Sequence, residues 1–212
     1  MSDASVPSRR RLLQISGGLA LAAFAPRALA KPVLAAAAPL MTSAQTDKVL
    51  QAARAGLARV GGRIAQHDVV AVADFGRPSA QPRLFLAEMA SGRVEGFLVA
   101  HGRGSDPTHT GWLSRFSNEP SSNCTSEGAY LTGDRYQGAH GHSMRLIGLD
   151  ASNNNALSRA IVVHQAAYVG PQIVRACGVL GRSEGCFAVS ESDLPVVLEK
   201  LGPGRLLVAA KL

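Results

Sequence analysis

The chain reads as a mainly β domain with short peripheral helices, and three observations point there. Short apolar runs rich in Val, Leu and Ile recur at residues 69–73, 83–87, 93–100, 144–149, 160–164 and 204–210. Turn-forming clusters separate them, as at Gly76-Arg77-Pro78-Ser79, Ala90-Ser91-Gly92 and Asp150 to Asn155. Only two stretches, one near each end, carry a helical period.

Residues 1–30 fall outside that pattern. They run from Ser8-Arg9-Arg10-Arg11-Leu12-Leu13-Gln14 through an apolar Ile15 to Ala25 to the small-residue pattern Ala28-Leu29-Ala30. The basic part matches a twin-arginine-type signal; a general secretory signal is the other reading, and both export the chain. Gly17 and Gly18 dilute an apolar part already shorter than the ~20 residues of a spanning helix. No stable membrane span is therefore expected, and the expected location is periplasmic or cell-wall associated. Residues 31–44, with Pro32 and Pro39 among alanines, read as a flexible leader. Residues 45–212 suffice for one domain, given typical sizes of ~100–150 residues, and a monomer is expected.

The formal charge of +7 overstates the processed chain, because residues 1–30 hold four arginines and one aspartate, which leaves +4. Such mild basicity suits an anionic polymer or surface. No Lys/Arg run interleaves with aromatics, and aromatics make up only 5% of the chain, so a nucleic-acid partner is excluded.

Within the domain, Thr46 or Asp47 is the expected cap of a helix carrying Val49, Leu50, Ala53, Leu57, Val60 and Ile64, ended by Gly61-Gly62. The runs at 69–73, 83–87 and 93–100 are close enough for an antiparallel meander. Residues 102–142 are polar and far exceed the usual connection of ~4–6 residues. Trp112, Phe116, Tyr130 and Tyr136 within them argue for an ordered excursion that shapes a site and contains short strands. Strands follow at 144–149 and 160–164, the latter buried on both faces. Ser190 or Ser192 then caps a short helix with Leu194, Val196, Val197 and Leu201, and 204–210 closes the fold.

Two residues in the last third carry the chemistry. His164 ends an apolar strand, and Cys186 sits in Gly181-Arg182-Ser183-Glu184-Gly185-Cys186. A thiol nucleophile needs a base, backbone donors for an oxyanion and a flexible approach to substrate. Gly185 allows a tight turn that aims its own N–H and that of Cys186 at one point, and His164 offers an imidazole on a rigid element. Singly, His164 reads as a satisfied core histidine and Cys186 as a small buried hydrophobe; at this spacing they read as a pair. Three cysteines leave one unpaired. A Cys124–Cys177 disulfide would free Cys186, but the preferred reading is that Cys124 and Cys177 are simply small buried or half-buried residues.

These residues, with Val99-Ala100-His101-Gly102-Arg103-Gly104, Phe116-Ser117-Asn118, Gly138-Ala139-His140-Gly141-His142-Ser143 and Arg159-Ala160-Ile161-Val162-Val163-His164, resemble the L,D-transpeptidase (YkuD-type) family. The likeness is closer to its murein L,D-transpeptidase catalytic-domain branch and runs from about residue 68 to the end. It implies the YkuD-type β-sandwich or barrel, and an exported cysteine acyltransferase acting on peptidoglycan stem peptides through a thioester to form 3–3 cross-links. Cys186 would be the nucleophile, His164 the base, and the Gly185 and Cys186 N–H groups the oxyanion hole. Ser183 would line the cleft or orient His164. No cofactor is implied. Attack of water in place of an amine would make an L,D-carboxypeptidase, and a catalytically idle peptidoglycan-binding module is the reading from another class.

Gln165, Phe187 and Ala188 depart from the family pattern, which commonly has Gly, Pro and Arg there. Arg182 is the candidate to take over carboxylate recognition, as a bidentate guanidinium can, with a solvated loop arginine as the equal alternative. His140, His101 and Tyr168 are expected to border the substrate groove. His140 and His142 with His164 or Cys186 suggest a zinc site only weakly, since no recognisable ligand pattern completes it, and no metal is expected.

Overall fold

The computed structural model describes residues 41–212, so the expected signal and most of the expected leader lie outside the described residues. Helix α1 (Ser43–Val60) starts earlier than the expected cap, because Thr42 and Gln45 form a reciprocal capping box and Thr46 falls inside the first turn. Gly61 ends it, and the chain continues into one turn of 3₁₀ helix.

Strands β1 (Val69–Asp74), β2 (Leu84–Glu88) and β3 (Val94–Phe97) form the expected antiparallel meander. The excursion that follows does contain strand, but as a long hairpin rather than short pieces: β4 (Gly128–Gly138) turns through Ala139-His140 into β5 (Gly141–Gly148). Then come β6 (Val162–Gln165), a helix α2 (Pro171–Cys177) without a sequence expectation, β7 (Phe187–Val189), α3 (Leu194–Leu201) and β8 (Leu206–Ala210). The eight strands make one mixed sheet in the order β3-β2-β1-β8-β4-β5-β6-β7. Its strand ladder does not close into a barrel, although an isolated bridge joins Ala100, just past β3, to Ala188 of β7.

The alternation of a strand explains the layering. On β1, Val70 and Val72 face the cluster that includes Val49, Leu50 and Ala53 of α1, while Ala71 and Ala73 face the one that includes Leu194, Val197 and Leu201 of α3. Two helices thus cover opposite faces of the same strands, near the middle of the sheet. Gly56 lets α1 approach β8, since a Cβ there would lie 2.8 Å from Val208 Cγ2. The second half of the sheet packs Tyr130, Met144, Val163 and Phe187 against Phe75, with Phe187 edge-on to Tyr130 at 5.5 Å between centroids.

Neither Ser190 nor Ser192 is the cap of α3: the N-cap is Asp193, with no side-chain cap hydrogen bond, and Ser190 instead shapes the preceding turn, accepting the Asp193 N–H on its hydroxyl at 3.1 Å and the Leu194 N–H on its carbonyl. All three cysteines are free. Cys124 is buried as expected, whereas Cys177 is exposed at the end of α2. Among the described residues no helix is long and apolar enough to cross a membrane.

Candidate active site

A cavity of about 820 Å³ lies where β6 meets the loop before β7. It brings together Cys186, His164, Ser183, Arg182, His140 and Tyr168, residues that come from three separate stretches of the chain. His164 is positioned by β6, which is hydrogen-bonded on one side to β5 (Ser143 opposite His164) and on the other to β7 (Ala188 opposite His164). Its Nδ1 lies 2.7 Å from the Gln165 carbonyl. A carbonyl only accepts, so Nδ1 carries the proton and Nε2 keeps its lone pair. Burial lowers the His164 pKa below the ordinary value; the Gln165 carbonyl opposes this, and the charge of His140 adds to it. The two imidazoles are stacked, 4.4 Å between centroids.

Cys186 is half-buried, its sulfur 3.5 Å from the Ala160 carbonyl. Burial pushes the thiol pKa up, against the Val162 N–H and the charge of Arg159, while Glu184 adds to the rise. The resting pair is therefore a neutral thiol and a neutral imidazole.

The loop that carries the sulfur is locked from within. The Gly185 N–H donates to Ser183 Oγ at 3.1 Å, and Ser183 Oγ donates to the Cys186 carbonyl at 2.7 Å. Of the two places expected for Ser183 it takes the first, lining the cavity, while its hydroxyl ties its own turn together and leaves His164 alone; the Gly185 N–H is engaged in that turn instead of facing an incoming oxyanion. No hydrogen bond from the Cys186 N–H occurs among the described residues, so that donor stays available. Gly185 has φ 121°, where only glycine is at ease.

The loop is also clamped from below. Ser183 donates its N–H to the His101 carbonyl at 2.9 Å and accepts from the Arg103 N–H at 2.7 Å. Gly102 passes so close beneath that a Cβ would fall 2.2 Å from the Asn123 carbonyl and 2.8 Å from Gly185. His101, expected to border the groove, lies outside the cavity and is sealed at 1% exposure. Its Nδ1 accepts from the buried Arg83 at 2.8 Å, and its Nε2 stands 3.5 Å from Asp106. Desolvation and the Arg83 charge push its pKa down to about 3, and desolvation brings Arg83 down to about 9. Reading the chain did not find this network, because an arginine at the start of an apolar strand ordinarily reads as exposed.

Arg182 lines the cavity but is tied to the Asp106 and Pro107 carbonyls, neither of which cancels its charge. Tyr168 has its pKa raised to about 12 by burial, by Cys186 and by Glu184, so its phenol stays protonated. Arg159, also missed from sequence as a site residue, lines the same wall. Its only sequence signal was membership of the block ending at His164. Ala188 is fully buried in an apolar cluster with Ala100, Val169 and Leu180. Strain marks the place as well: of the four non-glycine residues with positive φ among the described residues, Ser121, Asn123 and Ala160 line this cavity. His142 is exposed on β5, and no three His, Cys, Asp or Glu side chains among the described residues converge as a metal-ligand set.

A family model described as the L,D-transpeptidase catalytic domain matches residues 42–209. Among solved structures, an L,D-transpeptidase from Mycobacterium smegmatis is 15% identical, with 68% of this chain and 58% of that one covered and a TM-score of 0.40. L,D-transpeptidase 3 from Mycobacterium tuberculosis, solved with a faropenem-derived adduct, is 19% identical over 68% of this chain and 60% of that one, at a TM-score of 0.40. The helical cell shape determining protein Pgp2 from Campylobacter jejuni is 10% identical over 79% and 55%, at 0.45. The chain thus spans less than two thirds of the length of these proteins. Among curated proteins none matches.

Proposed function

Because the chain belongs to the L,D-transpeptidase catalytic domain family, we propose that it is an exported cysteine acyltransferase that acts on peptidoglycan stem peptides and joins them by 3–3 cross-links. The observation that carries this reading is the convergence of Cys186 and His164 on one cavity, from a loop and a strand more than twenty residues apart. The His164 tautomer supports it, since the lone pair on Nε2 is what a base needs.

Cys186 attacks the carbonyl that joins the third stem residue to a terminal D-amino acid. As the S–C bond forms, Nε2 of His164 takes the thiol proton. A neutral resting pair calls for this concerted route, because the thiol is raised and the imidazole lowered. The Cys186 N–H and the protonated Tyr168 hydroxyl are the donors offered to the oxyanion. When the tetrahedral intermediate collapses, the amide C–N bond breaks and imidazolium returns the proton to the departing amine, leaving a thioester. A side-chain amine of a second stem then attacks the thioester and gives its proton to His164; the C–S bond breaks as imidazolium returns that proton to the departing sulfur, leaving the new amide and the free Cys186 thiol. The charges of Arg182 and Glu184 at the rim orient the stem's carboxylate and amine groups.

Purified chain incubated with tetrapeptide-bearing muropeptides is expected to release the terminal D-amino acid and to produce dimers. Release without dimers would make it an L,D-carboxypeptidase. A carbapenem is expected to add its mass to the peptide holding Cys186; absence of both adduct and release would leave an idle wall-binding module and overturn the proposal.

A further inference from the structure

Like Arg182, Arg159 lines the cavity with a charge that meets only neutral acceptors among the described residues. Its Nη1 donates to the Ser117 carbonyl at 2.9 Å, and its Nη2 to the Cys124 carbonyl at 2.5 Å and to Ser122 Oγ at 3.4 Å. No ion pair engages it among the described residues, whereas Arg103 on the same rim is paired with Glu184 at 2.9 Å. The position it occupies is close to the nucleophile. A Cβ built on Gly185 would lie 2.7 Å from the Cys124 carbonyl and 3.3 Å from Arg159 Nη2. The guanidinium and the carbonyl it holds therefore form the wall against which the residue before Cys186 is seated.

Only a glycine fits there, and only while that carbonyl is held in place. Carbonyl acceptors leave the guanidinium's full charge in the field of the site, and a half-dry cavity screens it less than water would.

We propose that Arg159 is an electrostatic and positioning residue for Cys186: its uncompensated charge favours the thiolate, and its fork of hydrogen bonds seats Gly185. The proposal rests on Cys186 being the nucleophile. The other titratable or charged groups around that sulfur are Glu184 and Arg182 on its own loop, His164 and Tyr168 on and after β6, and His140 on the β4–β5 turn. Glu184 acts in the opposite sense to Arg159 on the thiol, and its pairing with Arg103 moderates that effect.

The test is the pH dependence of iodoacetamide alkylation, read by mass on the peptide containing Cys186, in the full chain and in Arg159→Met and Arg159→Lys. Arg159→Met is expected to move the midpoint up by roughly one pH unit, as loss of one nearby opposite charge does, and to slow alkylation about tenfold below it. Arg159→Lys, which keeps the charge and loses the fork, is expected to stay within a few tenths of a unit of the parent. Coincident midpoints for Arg159→Met and the parent would overturn the proposal. So would an equal upward shift in both variants, which would make the fork alone responsible. If Arg159→Met does not fold, Arg159→Gln, which also removes the charge, is read by the same criterion. Alkylation reads the sulfur whether or not muropeptides are turned over, so failure here is distinct from failure of the acyltransferase reading.

Discussion

Replacing Ser183 with alanine separates two ways of building the nucleophile loop. In the structure the Ser183 hydroxyl bridges the Gly185 N–H at 3.1 Å and the Cys186 carbonyl at 2.7 Å. The backbone clamps to His101 and Arg103 do not involve that hydroxyl and survive the change. Each bridge contributes a net ~1 kcal/mol, so the loop loses about 2 kcal/mol of ordering. If all of it is expressed in acylation, the rate falls roughly thirty-fold, at ~1.4 kcal/mol per factor of ten. The assay is the second-order rate of carbapenem adduct formation on Cys186, followed by mass, with thermal melting run alongside to establish that the variant is folded. Ser183→Thr keeps the hydroxyl and is expected to retain most of the rate. A Ser183→Ala rate within twofold of the parent would refute the argument. A faster rate would refute it more sharply, because it would mean that the released Gly185 N–H serves the oxyanion after all.

Other outcomes follow from the same geometry. His164 is held below the ordinary histidine pKa by burial, so the base stays unprotonated to lower pH than a free imidazole, and the acid limb of kcat/KM is expected below the ordinary ~6.5; an inflection above that value would contradict the neutral pair. In the folded chain burial and the Arg83 charge push His101 down to about 3 from the ordinary 6.5. The unfolded chain thus takes up a proton that the folded one refuses, and the stability this site contributes is present above pH 6.5 and lost as pH falls toward 3. Between pH 6.5 and 5 the loss is roughly 2 kcal/mol, read by denaturant melts, and His101→Gln is expected to flatten that slope. Gly102→Ala drives a Cβ against the backbone of Asn123 and Gly185; it is expected to destabilise the chain by more than ~2 kcal/mol, and a melting temperature equal to the parent's would show that the clamp under the loop is loose.

Much of the scaffold was legible because it rests on local rules. Short continuous apolar runs set between turn-forming clusters marked the meander and the strand carrying His164, and the helical period marked α1 and α3. The cap of α1 was misread because Thr42 and Thr46 carry the same chemistry, and only the partner at Gln45 distinguishes them. Most of β5 was legible as the strand expected at 144–149, whereas the extent of β4 was hidden because its outer half is polar and exposed, held by cross-strand pairing and by Arg145 over the Tyr136 ring at 4.4 Å rather than by a core-facing pattern.

At the site, residue type and spacing along the chain identified Cys186, His164 and their loop, because nucleophilicity, basicity and glycine's freedom at φ 121° belong to single residues. Which donors are spent and which charges are left over belongs to pairs brought together across the sheet. That Arg83 donates to His101 and that Arg159 stands beside Gly185 are contacts between segments distant in sequence, whereas the hold of Ser183 on the Gly185 N–H is local but visible only once the turn is formed. A linear chain specifies the groups; only their packing decides which hydrogen bonds and fields remain for a substrate.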